Sequence, residues 1–296
     1  MTLPRRLAAL LLLLLLPAAC STVSYTGRSR LIAVSEAEEV RLGEEAFREA
    51  VEEGIRVEDS RADLLRRVGA GIAAATGRPG YRWEFVLLES AEINAFALPG
   101  GKVVFYTGIL PVCGDETGIA AVMAHEVAHV LARHGAERLS QAKLLEAGST
   151  LLSAATAGSA PALRRGVLGA YGMGGKLGFL LPFSRAHETE ADGIGLLLMA
   201  RAGFDPEGAL AFWRRLSARE EGGGGGILST HPGGEERVRR IEELLPIAKE
   251  EYRKTAGGRA TPPSGGSPEE IDGEELLRRL EETGREKGFR DGDTSP

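Results

Sequence analysis

Val122-Met123-Ala124-His125-Glu126-Val127-Ala128-His129-Val130-Leu131 is the stretch on which the reading of this chain turns. Two histidines four residues apart lie roughly 40° apart around an α-helix, so His125 and His129 project from one face. That spacing lets both imidazoles reach a single Zn2+ at ~2.0–2.1 Å. Glu126 sits roughly 100° round from His125, close enough to act on a water at the metal without being a ligand. A catalytic zinc lowers the pKa of water to ~7, and a carboxylate can take the proton and pass it to a leaving amine. The residues around the motif are uncharged, which predicts a helix buried except where it meets the metal. A chance match on an amphipathic helix is the plain alternative, and those flanks speak against it.

An open catalytic zinc site needs a third protein ligand. The candidate stretch is Ser184-Arg185-Ala186-His187-Glu188-Thr189-Glu190-Ala191-Asp192. Glu188 and Asp192 are four apart and share a helix face, whereas Glu190 is turned roughly 200° from Glu188. One face thus offers a ligand and a second carboxylate able to hold a ligand histidine through its free ring N–H. Periodicity alone leaves open whether Glu188 with Asp192 or Glu190 faces the metal.

His125-Glu-x-x-His129 followed by Glu188-x-x-x-Asp192 resembles the HtpX and CAAX-prenyl-protease type of gluzincin metallopeptidase, nearest its periplasmic lipoprotein branch. Three further stretches carry the same resemblance: Asn94 to Gly101 with the strand after it, Gly203-Phe-Asp-Pro206 with Phe212-Trp213, and Thr230-His231-Pro232 with Arg237. The resemblance spans about Glu36 to Arg253. The resemblance implies His125, His129 and Glu188 as ligands of one zinc per chain, Glu126 as the catalytic carboxylate and Asp192 as support for a ligand. It also implies a role for His231, to block or to complete the site.

The chain has 296 residues, 43% of them hydrophobic, 26% charged and 40 of them glycine, with a formal net charge of −6. That composition can bury a core, and nothing in the charge points to nucleic acid. Ser35 caps an expected helix from Glu36 to Glu53, and a second fits Asp59 to Ala75. Trp83 to Leu88 and Lys102 to Thr107 are strand-like, with Leu98-Pro99-Gly100-Gly101 as the turn between them. Helices are expected at 115–134, 137–157, 161–171, 184–202, 206–218 and 235–253. No strands alternate with them, so the class is α+β: a mostly helical zincin-like metallopeptidase with one small antiparallel sheet.

Arg5, Arg6 and the apolar run Leu7 to Leu16 read as a signal peptide, since about ten residues fall short of the ~20 that span a bilayer. Pro17-Ala18-Ala19-Cys20 resembles a lipobox, with Pro17 where Leu is usual, and marks Cys20 for lipidation. The boundaries are then 1–20 for the leader, 21–34 for a polar tether, 35–253 for the peptidase domain and 254–296 for a disordered tail. Localisation follows as the bacterial cell envelope, lipid-anchored and facing the periplasm; plain secretion is the alternative. Cys113, the only other cysteine, reads as a small buried hydrophobe.

His134 follows His129 by five and on one continuous helix points roughly 140° from the metal face; it reads as a residue of the helix C-terminus. His187 reads as peripheral. His231 follows five consecutive glycines, Gly222 to Gly226, so it could swing onto the open zinc position. Asn94 and the strand around Val103, Val104 and Phe105 are expected to bind substrate, since an exposed edge strand can pair with an extended peptide. The expected function is a zinc-dependent endopeptidase acting on unfolded or misassembled envelope proteins. A metal-stabilised chaperone with latent cleavage is the rival, and loss of function in Glu126→Gln would separate the two.

Overall fold

A computed structural model of the protein describes residues 20–23, 26–156, 184–220, 227, 231 and 234–257. The leader, the five-glycine run, the expected helix at 161–171 and the tail beyond residue 257 lie outside these residues.

The chain opens with a short antiparallel hairpin, β1 (Cys20–Thr22) and β2 (Ser29–Leu31), in register Cys20 with Leu31. Helices α1 (Glu36–Glu53) and α2 (Ser60–Ala75) follow, then strands β3 (Glu84–Leu88), β4 (Ala95–Leu98) and β5 (Lys102–Tyr106). A short α3 (Leu110–Cys113) leads into α4 (Glu116–Leu131) and α5 (His134–Ala155). After residue 183 come α6 (Arg185–Arg201), α7 (Glu207–Glu220) and α8 (Gly234–Gly257). The α+β class is as expected. Among the described residues no helix is long and apolar enough to cross a membrane.

Capping chemistry fixes where the helices begin. Ser35 accepts from the Glu38 N–H, Asp59 from Arg61, Asp115 from Gly118 and Ser184 from His187, each satisfying an N–H that the helix itself leaves free. Helix α4 is buried without a break from Gly118 to Leu131. It is the hub: α6 and α7 pack on it, and so do α2 and the β4 edge of the sheet. A helix apolar on every side needs such a wrapping. Met123, Val127, Ile194, Leu198 and Phe212 form the shared core between α4, α6 and α7.

Gly195 sets the spacing of the two helices that carry the motif residues. A Cβ there would stand 3.1 Å from the His125 backbone nitrogen and 3.2 Å from the Ala124 carbonyl carbon. Contacts of this kind ordinarily sit at about 3.5–4.0 Å, so the missing side chain lets α6 lie directly against the His125 turn.

Two expectations are corrected. The three-stranded sheet is mixed, in order β3-β5-β4, with β3 parallel to β5 and β4 antiparallel to it. The Pro99-Gly100-Gly101 turn joins β4, not β3, to β5; Gly100 and Gly101 have φ of 88° and 91°, which glycine adopts without steric cost. The stretch expected as a polar tether is folded instead. Val23 and Arg30 are buried, and the Ala33 N–H donates to Ser140 Oγ at 2.7 Å. The hairpin thus packs against the start of α5.

Candidate active site

Four side chains converge between α4, α6 and the segment at residue 231. His125, His129, Glu188 and His231 each offer a donor atom, and these atoms lie within 4.8 Å of one another. The two Nε2 atoms of His125 and His129 are 3.1 Å apart, close to the roughly 3.3 Å edge of a tetrahedron with ~2.05 Å bonds. Glu188 comes within 3.4 Å of His125 Nε2 and 3.5 Å of His129 Nε2. His231 Nδ1 stands 3.0 Å from Glu188 Oε1 and 3.3 Å from His125 Nε2.

All four residues are almost wholly buried; Glu126 Oε1 has no hydrogen-bond donor, and Glu188 Oε2 has only its ion pairs, with Arg237 at 2.8 Å and His125 at 3.4 Å. Buried carboxylate oxygens left without donors are costly unless a cation takes their lone pairs. Two imidazoles and a carboxylate are also the donor set that suits zinc. The residues present therefore fit the metal.

Glu126 lies beside the cluster, 3.5 Å from His231 Nε2. Burial, with help from the Glu188 charge, pushes its carboxyl up to about 7, while His231, Arg237 and the Ala97 N–H pull the other way. Burial also acts upward on Glu188, but hydrogen bonds from His125 and His231 outweigh it and hold the carboxyl well below the usual carboxylate range. Burial, together with the neighbouring histidines, holds His129 neutral far below its ordinary value, the state in which imidazole binds metals.

Helix α6 resolves the choice between its carboxylates. Glu188 faces the cluster, and Asp192 Oδ1 lies 3.1 Å from His125 Nδ1. Glu190 faces away, toward Thr26, Arg28 and His134.

Asn94 uses its side chain locally, accepting from the Ala95 N–H at 3.0 Å and donating to Glu92 at 2.9 Å. Val103, Val104 and Phe105 are not on an exposed edge. They occupy the central strand, fully buried, with strands on both sides, so their main chain cannot pair with a peptide. The edge strand beside the cluster is β4, whose Ala97 N–H bonds to Glu126. Cys20 begins strand β1, and Cys113 is buried with its thiol pushed up to about 12 by burial.

Two groups carry more than their sequence context suggests. Arg237 is 1% exposed, pairs with Glu188 at 2.8 Å and Asp192 at 2.6 Å, and stacks 3.3 Å from the centre of the Trp213 ring. Its spacing to Ile241, Leu244 and Ala248 places it on the buried stripe of α8, and an arginine on such a stripe signals a buried partner. His134 is not the end of α4. The chain reverses at Arg133, whose φ of 55° is left-handed, so the helical offset no longer applies. His134 opens α5, and its Nδ1 lies 2.9 Å from His129 Nδ1.

Residues 59–245 match the model of peptidase family M48. The chain belongs to that family. Its members use zinc, and this M48 chain is a zinc metalloendopeptidase. It is 40% identical over 233 residues to the mitochondrial metalloendopeptidase OMA1 of Schizosaccharomyces pombe, covering 77% of this chain and 67% of that protein. The Saccharomyces cerevisiae OMA1 is 39% identical over 60% of this chain and 51% of its own length. The β-barrel assembly-enhancing protease of Escherichia coli K12 is 33% identical over 53% of this chain and 33% of its own length. This chain thus spans from two thirds down to one third of these relatives.

The family assignment is coarser than the HtpX and CAAX-prenyl-protease type that the motifs resemble. The matches overturn the expected location: the OMA1 relatives at 40% and 39% identity are mitochondrial and eukaryotic, which points away from a periplasm-facing bacterial lipoprotein. The M48 model and these names give no support to a membrane lipid anchor.

Proposed function

We propose that this M48 chain is an endopeptidase that cuts unfolded or misassembled proteins, in the manner of a quality-control protease. His125, His129 and Glu188 are its metal ligands, and Asp192 orients His125 through Nδ1. The carrying observation is the buried convergence of these donors with Glu126 beside the edge strand β4. Zinc bound there supplies Lewis acidity, polarising the scissile carbonyl and easing loss of a proton from water.

The chain's own groups account for the rest. Glu126 takes the proton of the attacking water and delivers it to the amine that leaves. Strand β4 aligns the substrate: the Tyr106 N–H donates to the Asn94 carbonyl at 3.1 Å, so by antiparallel alternation residues 94, 96 and 98 bond to β5 while Ala95 and Ala97 face outward. An extended peptide laid along that edge passes Glu126, and Asn94 sits at its start. Unfolded segments are the substrates such an edge accepts.

His231 acts as a gate. The Ile227 N–H donates to the Ile93 carbonyl at 2.8 Å and the His231 N–H to the Ile227 carbonyl at 2.8 Å, which holds the imidazole among the ligands. Glu126→Gln tests the central reading: it should keep about one zinc per chain and lose cleavage of casein by at least about 100-fold. Normal cleavage in this variant refutes the assignment of Glu126. Loss of zinc from wild-type levels in His125→Ala tests the ligand set.

A further inference from the structure

Behind His129, on the side away from the ligand cluster, runs a connected set of polar groups that peptide hydrolysis does not use. His134 Nδ1 faces His129 Nδ1 at 2.9 Å, and His134 Nε2 faces Glu190 Oε2 at 3.0 Å. Glu190 also accepts from the Thr26 hydroxyl and from Arg28 Nε, the latter at 2.8 Å. The Arg28 guanidinium then forks to both oxygens of Glu137 at 3.0 and 2.7 Å. Glu137 holds His187 at 3.1 Å, and the His187 ring stacks on His134 at 4.3 Å between centres. His134 is fully buried and Glu190 nearly so.

Counting protons along this set leaves one arrangement. If His129 offers Nε2 to the metal, its Nδ1 carries the hydrogen. Two facing Nδ1 atoms need one donor and one acceptor, so His134 Nδ1 must be bare and its Nε2 must carry the hydrogen. That hydrogen points at Glu190, an acceptor when ionised, and the Thr26 hydroxyl and Arg28 complete the carboxylate. The opposite arrangement would put the His129 hydrogen on Nε2, inside the ligand cluster.

We propose that His134 is a positioning residue for the metal site: Glu190 fixes its tautomer, and through it fixes which nitrogen His129 presents. Thr26 and Arg28 make the N-terminal hairpin part of that device, since they hold Glu190 in place. The hydrogen bonds that orient a ligand imidazole ordinarily go to a carboxylate or a carbonyl; here a second imidazole stands between ligand and carboxylate. This rests on His129 being a ligand, and His129→Ala tests that reading by itself. Loss of zinc in His129→Ala with unaltered behaviour of His134 variants would sink only the present inference.

The test uses the full chain and zinc alone as the probe. His134→Phe keeps a ring but removes both nitrogens, and His134→Asn returns an acceptor oxygen near the Nδ1 position. Zinc affinity by competition with a chelating dye should fall about 10–100-fold in His134→Phe and recover most of that in His134→Asn. Nitrogen-detected NMR of the zinc form should show His129 protonated at Nδ1 in wild type, with that proton exchanging faster in His134→Phe. Wild-type zinc affinity in a folded His134→Phe overturns the proposal, as does a His129 protonated at Nε2. Should His134→Phe fail to fold, Arg28→Leu decides, being altered only in the hairpin: several-fold weaker zinc binding supports the proposal, and unchanged affinity overturns it.

Discussion

Arg237→Met is the most informative single change, because it separates what the protein supplies to the site from what the metal supplies. The guanidinium is 1% exposed and reaches Glu188 at 2.8 Å and Asp192 at 2.6 Å, with the Trp213 face beneath it. Methionine fills most of the stem's volume and removes the charge. In the metal-free protein the change takes the guanidinium from Glu188 and leaves Asp192 with Arg240 alone, at 4.0 Å, and breaking one side of a buried pair costs about 3–5 kcal/mol. The lost contact with Trp213 adds about 1–2 kcal/mol. With zinc bound, Glu188 has another cation beside it, so only the Asp192 part and the ring contact remain, about 2–3 kcal/mol. Urea unfolding of both proteins, with chelator and with saturating zinc, measures the four stabilities. The expected result is a loss in the metal-free form exceeding the loss in the zinc form by about 2–4 kcal/mol. Equal losses in the two forms would refute the idea that arginine and metal share the charge of Glu188.

Gly195→Ala should cost about 1–2 kcal/mol, since overpacking α6 against His125 outweighs the roughly 1 kcal/mol gained in helix propensity; zinc affinity should fall with it, and a more stable variant with normal affinity would refute the close approach. The Glu137 carboxyl falls from its ordinary 4.5 to about 2, because bonds to His187 and Arg28 outweigh burial. A depressed folded value gives stability that is present above pH about 4.5 and lost as pH falls toward about 2, so Glu137→Gln should flatten that part of the acid-unfolding curve by at most about 3 kcal/mol. His231→Ala should raise cleavage of an unfolded substrate if the imidazole gates the site; a lower kcat with unchanged zinc would assign it to the transition state instead, and no change in either would remove it from the mechanism.

The parts of the site legible in the sequence are those governed by one unbroken helix. His125 and His129 on α4, and Glu188 with Asp192 on α6, keep their helical spacing, and the expected shared faces hold. Where the chain turns, spacing gave false directions. A left-handed Arg133 lies between His129 and His134, and no periodicity survives such a reversal. The hairpin at 20–31 is short and polar, and its role depends on Arg28 meeting carboxylates more than 100 residues away. The misplaced edge strand had a usable signal. Lys102-Val103-Val104-Phe105 is buried residue after residue, and an apolar run without alternation marks a strand covered on both faces. β4, next to it, keeps mixed exposure, as an edge does.

The charges within the site explain why its parts come as a set. Glu126, Glu188 and Asp192 are three buried carboxylates, and among the described residues Arg237 is the fully buried arginine paired with them, with the part-exposed Arg240 at 4.0 Å from Asp192. If all three ionise, two negative charges remain, and buried charge without a counterion is resolved by taking up protons. The Glu126 carboxyl is raised to about 7 chiefly by burial, with the Glu188 charge adding to it. On the proposed ligand set, a divalent cation held by His125, His129 and Glu188 would supply the missing charge, and a nearby positive charge favours the ionised form of a carboxyl. The same arrangement that leaves Glu126 reluctant to ionise without metal would therefore suit it to the proposed role of base once a metal is bound. Arg237 contributes to the size of that change, because its charge favours the ionised forms of Glu126, Glu188 and Asp192 alike.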